Sequence, residues 1–346
     1  MSCCDETTAR VPDLDLSRRS LFRGATLMAG LVPAARPKRA EAQGKKVVLA
    51  FCSQLLCVVP YEVSRAEGHF KKHGLNVELV YTRGGNAAMQ ALVGGAVDYA
   101  ATSLDVAIQA YANGADIRRF ATTGRLPLFA LVTAPNTADR IRAIKDLEGK
   151  TVGVGALGNA DHALALFLLK RANADAGKVQ FATLGVNILE AVRQGQVDAG
   201  LVQEPALTIL SRSGARILAN LMDMADAQKF LGGTYEFMGV AVRAKEIDKR
   251  RAEMAALANG LADALKAQRT LAAEQMVGAL RPELIAGLDT KELGEILVRY
   301  RDSLYPESVA IDLDASKRVA ESLIVGGLIK SDANLSGLYD TSIAGG

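Results

Sequence analysis

The chain contains no tryptophan, and its 346 residues include only 8 Tyr and 9 Phe. A carbohydrate groove lined with stacking aromatics is therefore not expected. Histidine is scarce as well: His69, His73 and His162 are the only three, and they do not cluster with other ligand types at metal-binding spacing. No metal or cofactor is expected. No nucleophile–base pair stands at a recognisable spacing, which argues against an enzyme. Neither sign of charge dominates. Residues 1–42 hold seven of the 41 Lys and Arg and five of the 38 Asp and Glu, which leaves 34 against 33. That balance points to neither nucleic acid nor a charged membrane surface.

Long apolar runs are missing too. The one modest stretch, Gly24 to Ala35, is too short to span a bilayer. Ser17-Arg18-Arg19-Ser20-Leu21-Phe22-Arg23 precedes it and has the twin-arginine form, while Ala40-Glu41-Ala42 offers a small-residue cleavage site. Residues 1–42 are therefore read as a twin-arginine signal peptide. The mature chain would begin at Gln43 and reside in the periplasm. No Cys stands at the cleavage point, so no lipid anchor is expected. Of the four cysteines, Cys3 and Cys4 fall in the leader, leaving Cys52 and Cys57.

What is present is a pattern that occurs twice, 100 residues apart. Met89-Gln90-Ala91-Leu92-Val93-Gly94-Gly95-Ala96-Val97-Asp98 is echoed by Leu189-Glu190-Ala191-Val192-Arg193-Gln194-Gly195-Gln196-Val197-Asp198. Each copy reads as the end of an amphipathic helix, a Gly that stops it, and a short buried strand. Around them the segments Lys46–Phe51, Leu75–Tyr81, Arg125–Val132, Thr151–Val154, Val179–Thr183, Val197–Val202 and Phe237–Val242 read as further strands. A helix is expected from Tyr61 to Phe70. The β-α-β-α-β order occurs twice and implies parallel sheets. After Lys245 the chain reads as helical, broken by Pro282 and Pro306. The expected fold is α/β, with two α/β lobes joined by a two-strand hinge: lobe 1 from residues 43–128 and 238–346, lobe 2 from 129–237.

Several stretches resemble the nitrate/sulfonate/taurine-type (NMT1/THI5-like) periplasmic substrate-binding proteins of ABC transporters. Glu67-Gly68-His69-Phe70-Lys71-Lys72-His73-Gly74-Leu75-Asn76-Val77-Glu78-Leu79 is similar to that family's GYFKKEGLDVEL stretch. Gln90–Asp98, Asp146–Val154 and Gln194–Ala199 running on to Glu204-Pro205 match in order and spacing. The resemblance covers about Lys46 to Val242 and implies a type II periplasmic binding-protein fold. It further implies capture of a small polar or anionic solute, such as a sulfonate, taurine or nitrate, for a membrane permease and its ATPase, by a protein that usually works as a monomer.

Ligands of open α/β sheets bind beyond the carboxyl ends of the strands. The candidate ligand-binding residues follow from that rule. Ser53 and Gln54 come after the first strand, Gly85 and Asn86 form the loop after the second, and Thr102 and Ser103 come after the third. In the second lobe Gly158, Asn159 and His162 join a strand to a helix whose N-terminus favours an anionic group. Glu204 occupies the position of the family's acidic residue before Pro and could face an amine. Arg83 and Arg125 end cleft-side loops and could pair with an anion. Cys52 and Cys57 flank the first loop, and three roles stand open for them: buried bystanders, a disulfide, or a direct ligand or metal contact. Two rival functions keep the same fold: a sensory binding protein for a membrane receptor, and an enzyme of the pyrimidine-precursor-synthase type.

Overall fold

Val47, Leu49 and Ala50 have no exposed surface, so the first strand, β1 (Lys45–Cys52), lies inside a sheet. The computed structural model describes residues 45–52 and 55–344, within one compact unit, Gln43–Gly346. The leader, Ser53 and Gln54 lie outside the described residues. From β1 the chain runs through α1 (Leu55–Ala66) and α2 (His69–Lys72) to β2 (Leu75–Thr82). It continues through α3 (Gly85–Val93) to β3 (Tyr99–Ser103), then α4 (Leu104–Ala112) and β4 (Ile117–Thr122). A second series follows: β5 (Ala130–Thr133), β6 (Thr151–Val154), α5 (Ala160–Arg171), β7 (Gln180–Thr183), α6 (Ile188–Arg193), β8 (Ala199–Val202), α7 (Ala206–Arg212), β9 (Ile217–Asn220) and α8 (Met224–Leu231). Strand β10 (Met238–Arg243) returns to the first sheet. Five helices complete the chain: α9 (Ile247–Gln268), α10 (Ala273–Ala279), α11 (Pro282–Ile285), α12 (Thr290–Leu304) and α13 (Leu313–Val325).

The two sheets have the same plan. One has the order β2-β1-β3-β10-β4 and the other β7-β6-β8-β5-β9. In each, four strands run in one direction and the strand that has crossed from the other sheet, β10 or β5, lies antiparallel between its two neighbours. The fold is thus α/β with two lobes, as expected.

The duplicated sequence pattern has a structural cause. Asp98 accepts a hydrogen bond from the Val48 amide at 2.8 Å, and Asp198 accepts one from the Thr151 amide at 2.9 Å. Each Asp therefore ties a helix–strand turn to the adjoining strand of its own sheet. The turns close through Gly95 and Gly195, at φ +82° and +70°. They differ in one respect. A Cβ on Gly95 would meet open space, whereas one on Gly195 would run into the Asn136 amide. Gly95→Ala should cost about 1 kcal/mol, from the left-handed backbone alone. Gly195→Ala should cost more, and urea denaturation of the two variants measures the difference.

The sequence also misleads at several points. Strands β4 and β9 were not expected, because Arg118 and Arg119 interrupt the apolar pattern of one and the other is only four residues long. Arg125–Val132 was expected as one strand, but only Ala130–Thr133 pairs. The preceding residues cross between the sheets, and Leu126, Leu128 and Phe129 are buried there for that reason. The Tyr61–Phe70 helix is two helices, since Gly68 adopts φ +76° between α1 and α2. Gly85 and Asn86 are not a loop but the first turn of α3.

Pro60 lies inside α1 and cannot donate to the Leu56 carbonyl. The Tyr305 hydroxyl, just beyond α12, donates to that carbonyl at 2.8 Å. Helix α12 buries Leu293, Ile296, Leu297, Tyr300 and Leu304 at helical spacing. Asp289 caps it by accepting from the Lys291 and Glu292 amides at 2.9 and 3.0 Å.

Candidate functional site

The lobes are joined by two backbone segments that pair with each other. The Phe237 amide donates to the Gly124 carbonyl and the Tyr235 amide to the Arg125 carbonyl, both at 2.9 Å. Arg119 braces this ribbon from β4, with no exposed surface. It donates to the Phe237 carbonyl at 2.7 Å and to the Thr102 carbonyl at 2.9 Å, and lies 3.5 Å from Glu236. One buried cation thereby fixes both the hinge and the carboxyl end of β3.

The carboxyl ends of β3 and β6 face each other. Asn86 donates to the Asn159 side chain at 2.8 Å, and Gln109 donates to the Gly158 carbonyl at 3.0 Å. These bonds join the starts of α3 and α4 in one lobe to the β6–α5 loop in the other. Gly85 packs directly against Thr102, Ser103 and Val106. Gly85, Asn86, Thr102, Ser103, Gly158, Asn159 and His162 are thus gathered in one region. His162 accepts the Gly158 amide proton on Nδ1 at 3.1 Å, so its own proton resides on Nε2. Burial lowers the His162 pKa and favours the neutral ring. Its ring meets Phe181 edge-on at 4.8 Å.

Glu204 is tied elsewhere. It accepts the Thr208 amide at 3.1 Å and lies 3.7 Å from Arg299 of α12. Arg125 donates to the Ser303 carbonyl at 3.1 Å and to the Asp302 carbonyl, so its guanidinium is committed to the end of α12. Arg83 is exposed. Cys52 and Cys57 are buried and not joined by a disulfide. Their thiols share a hydrogen bond, and burial pushes the Cys57 thiol up. Among the described residues no group of three His, Cys, Asp or Glu could hold a metal ion, and no helix is long and apolar enough to cross a membrane.

Two acidic residues of this region were not singled out from the sequence. Asp161, in the first turn of α5, is buried and accepts the Gly155 amide. The Asp161 and His162 amides also point to its carboxylate, but burial outweighs them and raises its pKa. Asp105, in the first turn of α4, is 1% exposed, and neither carboxylate oxygen has a hydrogen bond of good geometry. Burial lifts it from 3.8 to about 6. The nearby Ser103 hydroxyl and its own amide oppose the rise, and the Asp161 charge adds to it. The Thr102 hydroxyl is also fully buried without a hydrogen bond. The available signal was positional: Asp105 stands two residues past the end of β3, and Asp161 lies in the first turn of the helix that follows β6, both beyond strand ends that the topology marks as ligand-facing.

Two sheets of this plan, joined by a paired ribbon, define the periplasmic binding-protein fold. A protein from Bordetella bronchiseptica RB50 is similar at a TM-score of 0.74 and 22% identity, over 86% of this chain and 95% of that one. The periplasmic aliphatic sulphonate binding protein SsuA from Escherichia coli is similar at 0.67 and 18%, over 86% and 97%. The periplasmic nitrate-binding protein NrtA from Synechocystis PCC 6803 is similar at 0.65 and 13%, over 84% and 83%. No curated protein sequence matches significantly. The NMT1/THI5-like family model matches residues 58–272, and the chain belongs to that family.

Proposed function

We propose that this protein is the periplasmic solute-binding component of an ABC importer, and that its work is binding rather than catalysis. The carrying observation is the pair of hydrogen bonds that closes the lobes where the strand ends meet, Asn86 to Asn159 and Gln109 to Gly158. A ligand touching both lobes would favour that closed arrangement in proportion to its preference for it. The sulphonate- and nitrate-binding neighbours support a small polar solute, with sulfonates, taurine, nitrate and related organic compounds as the first to test. The partners would be a membrane permease and its ATPase, met by a monomer. Residues 43–128 with 238–346, and 129–237, are proposed as the two moving bodies.

The Arg18-Arg19 pair supports export by the twin-arginine route. Cell fractionation of an Arg18→Lys/Arg19→Lys variant tests it, and undiminished export would refute that route.

The binding reading is tested by solution scattering and melting with a solute panel. A true ligand should raise the melting temperature, by an amount set by its concentration relative to Kd. It should also shrink the radius of gyration of an Asn86→Ala/Gln109→Ala variant, whose lobes are held together less firmly. Turnover of a panel member by the purified protein would overturn the reading.

A further inference from the structure

The relatives' anionic ligands suggest an anion at the starts of α4 and α5, where helix dipoles and free amides would receive it. In this chain several of those amides are already engaged. The Gly155, Asp161 and His162 amides point to the Asp161 carboxylate, and the Gly158 amide donates to His162. The Leu104 amide at the start of α4 donates to the Phe237 carbonyl at 2.8 Å. An anion entering here would meet two buried carboxylates, Asp105 and Asp161.

The charges nearby do not offset this. Besides Asp161, the groups whose charge reaches Asp105 include Arg119, Cys57 and Tyr235. Arg119 is the one cation of that set. It lies 3.5 Å from Glu236 and donates to the backbone carbonyls of Thr102 and Phe237. Tyr235 shares a hydrogen bond with Ser322 at 2.7 Å. Asp161 is satisfied by its own loop and contributes field rather than a vacant contact.

Asp105 is different. It precedes Gln109 by one helical turn, so both leave the same face of α4, and Gln109 reaches Gly158 across the lobe junction. Its two oxygens have no hydrogen bond of good geometry, with only the Ser103 hydroxyl and its own amide nearby, and the Thr102 hydroxyl, at the carboxyl end of β3, is likewise buried without a hydrogen bond. Native structures rarely leave such groups unmet, and a buried carboxylate is expected to be paired.

We propose that this site holds its solute by a positively charged nitrogen, an amine or amidinium whose N–H groups donate to Asp105 and whose charge is favoured by Asp161, with the Thr102 hydroxyl as a further partner. The proposal rests on the binding-protein reading and narrows its solute class to nitrogen bases.

The test uses calorimetry and melting at pH 8 with two sets of probes: benzamidine, agmatine and phenethylamine as cations, and ethanesulfonate and nitrate as anions. At least one cation should bind and raise the melting temperature. Asp105→Asn should weaken it tenfold or more and Asp161→Asn several-fold. The unliganded Asp105→Asn protein should melt no lower than the parent, which separates lost contact from misfolding. Binding of an anion with no cation binding would overturn the proposal and leave the binding-protein reading in place. Equal cation affinity in the parent and in Asp105→Asn would overturn it too. Failure of both probe sets would overturn it and count against the broader reading.

Discussion

Arg119→Met should destabilise the protein by about 3–5 kcal/mol, the largest loss expected from any one side chain discussed. The side chain has no exposed surface, so bulk solvent does not reach it. Removing it leaves Glu236 buried without its cation, and leaves the Thr102 and Phe237 carbonyls without their side-chain donor. Burial already raises the Glu236 pKa, with Arg119 the main opposing influence. The orphaned carboxyl should therefore take up a proton. Glu236→Gln added to Arg119→Met should recover part of the loss, since it removes the unpaired charge. Chemical denaturation of the two single variants and the double variant measures this. A loss below about 1 kcal/mol in Arg119→Met, within the range of surface substitutions, would contradict the role given to Arg119.

The unliganded protein should become more stable as pH falls from 8 toward 5, opposite to the usual behaviour of a paired carboxylate. Asp105 titrates at about 6 in the folded state against 3.8 for the ordinary group. Between those values the folded chain binds more protons than the unfolded chain, so stability falls as pH rises through that window. The shift corresponds to about 3 kcal/mol at most, fully expressed above pH 7. Asp161 and Glu236 are raised as well and add in the same direction. Asp263 and Glu253, whose pKa values are lowered by their partners, oppose the trend at more acid pH, and His162, lowered from 6.5 by burial, opposes it within the window, so the difference between parent and Asp105→Asn isolates the Asp105 contribution. Asp105→Asn should flatten the curve and lift the melting temperature at pH 8 by at most roughly 6 °C, at about 2 °C per kcal/mol, the lower end of the range for large domains. Parallel pH curves for parent and variant would show that Asp105 is not the group responsible.

The contrast between these residues shows what the sequence revealed and what it did not. Strands β1, β3, β6, β8 and β10 were legible because buried strands write themselves as short apolar runs, and the edge strands β2 and β7 from their places in the β-α-β-α-β order, β2 also by its alternation. Strand β4 was not, because Arg119 is placed by carbonyls that converge from β3 and β10, and no local pattern encodes that meeting. The loops at the strand ends were legible from topology alone. Gly85, Asn86, Gly158 and Asn159 do meet across the lobe junction. Which polar side chain lacks a partner depends on neighbours up to 130 residues away. No sequence pattern gave Asp105 a role, and Arg125 was offered as a partner for an anion, whereas its guanidinium is held by carbonyls at the end of α12.

The contacts of Arg119 and Tyr305 also bear on when the chain can fold as it is made. The first helix has its Leu56 carbonyl satisfied by a residue 249 positions later. The Arg119 carbonyl of β4 accepts the Asp340 amide at 2.8 Å. The first sheet takes β10, at 238–243, as an inner strand. A ribosome therefore releases nearly the whole polypeptide before the amino-terminal lobe can be finished, while the β5–β9 sheet is contiguous and has all its strands by Asn220. The second lobe to close is the first one synthesised, and until its last strand and helices arrive it is the part of the nascent chain that needs protection from aggregation.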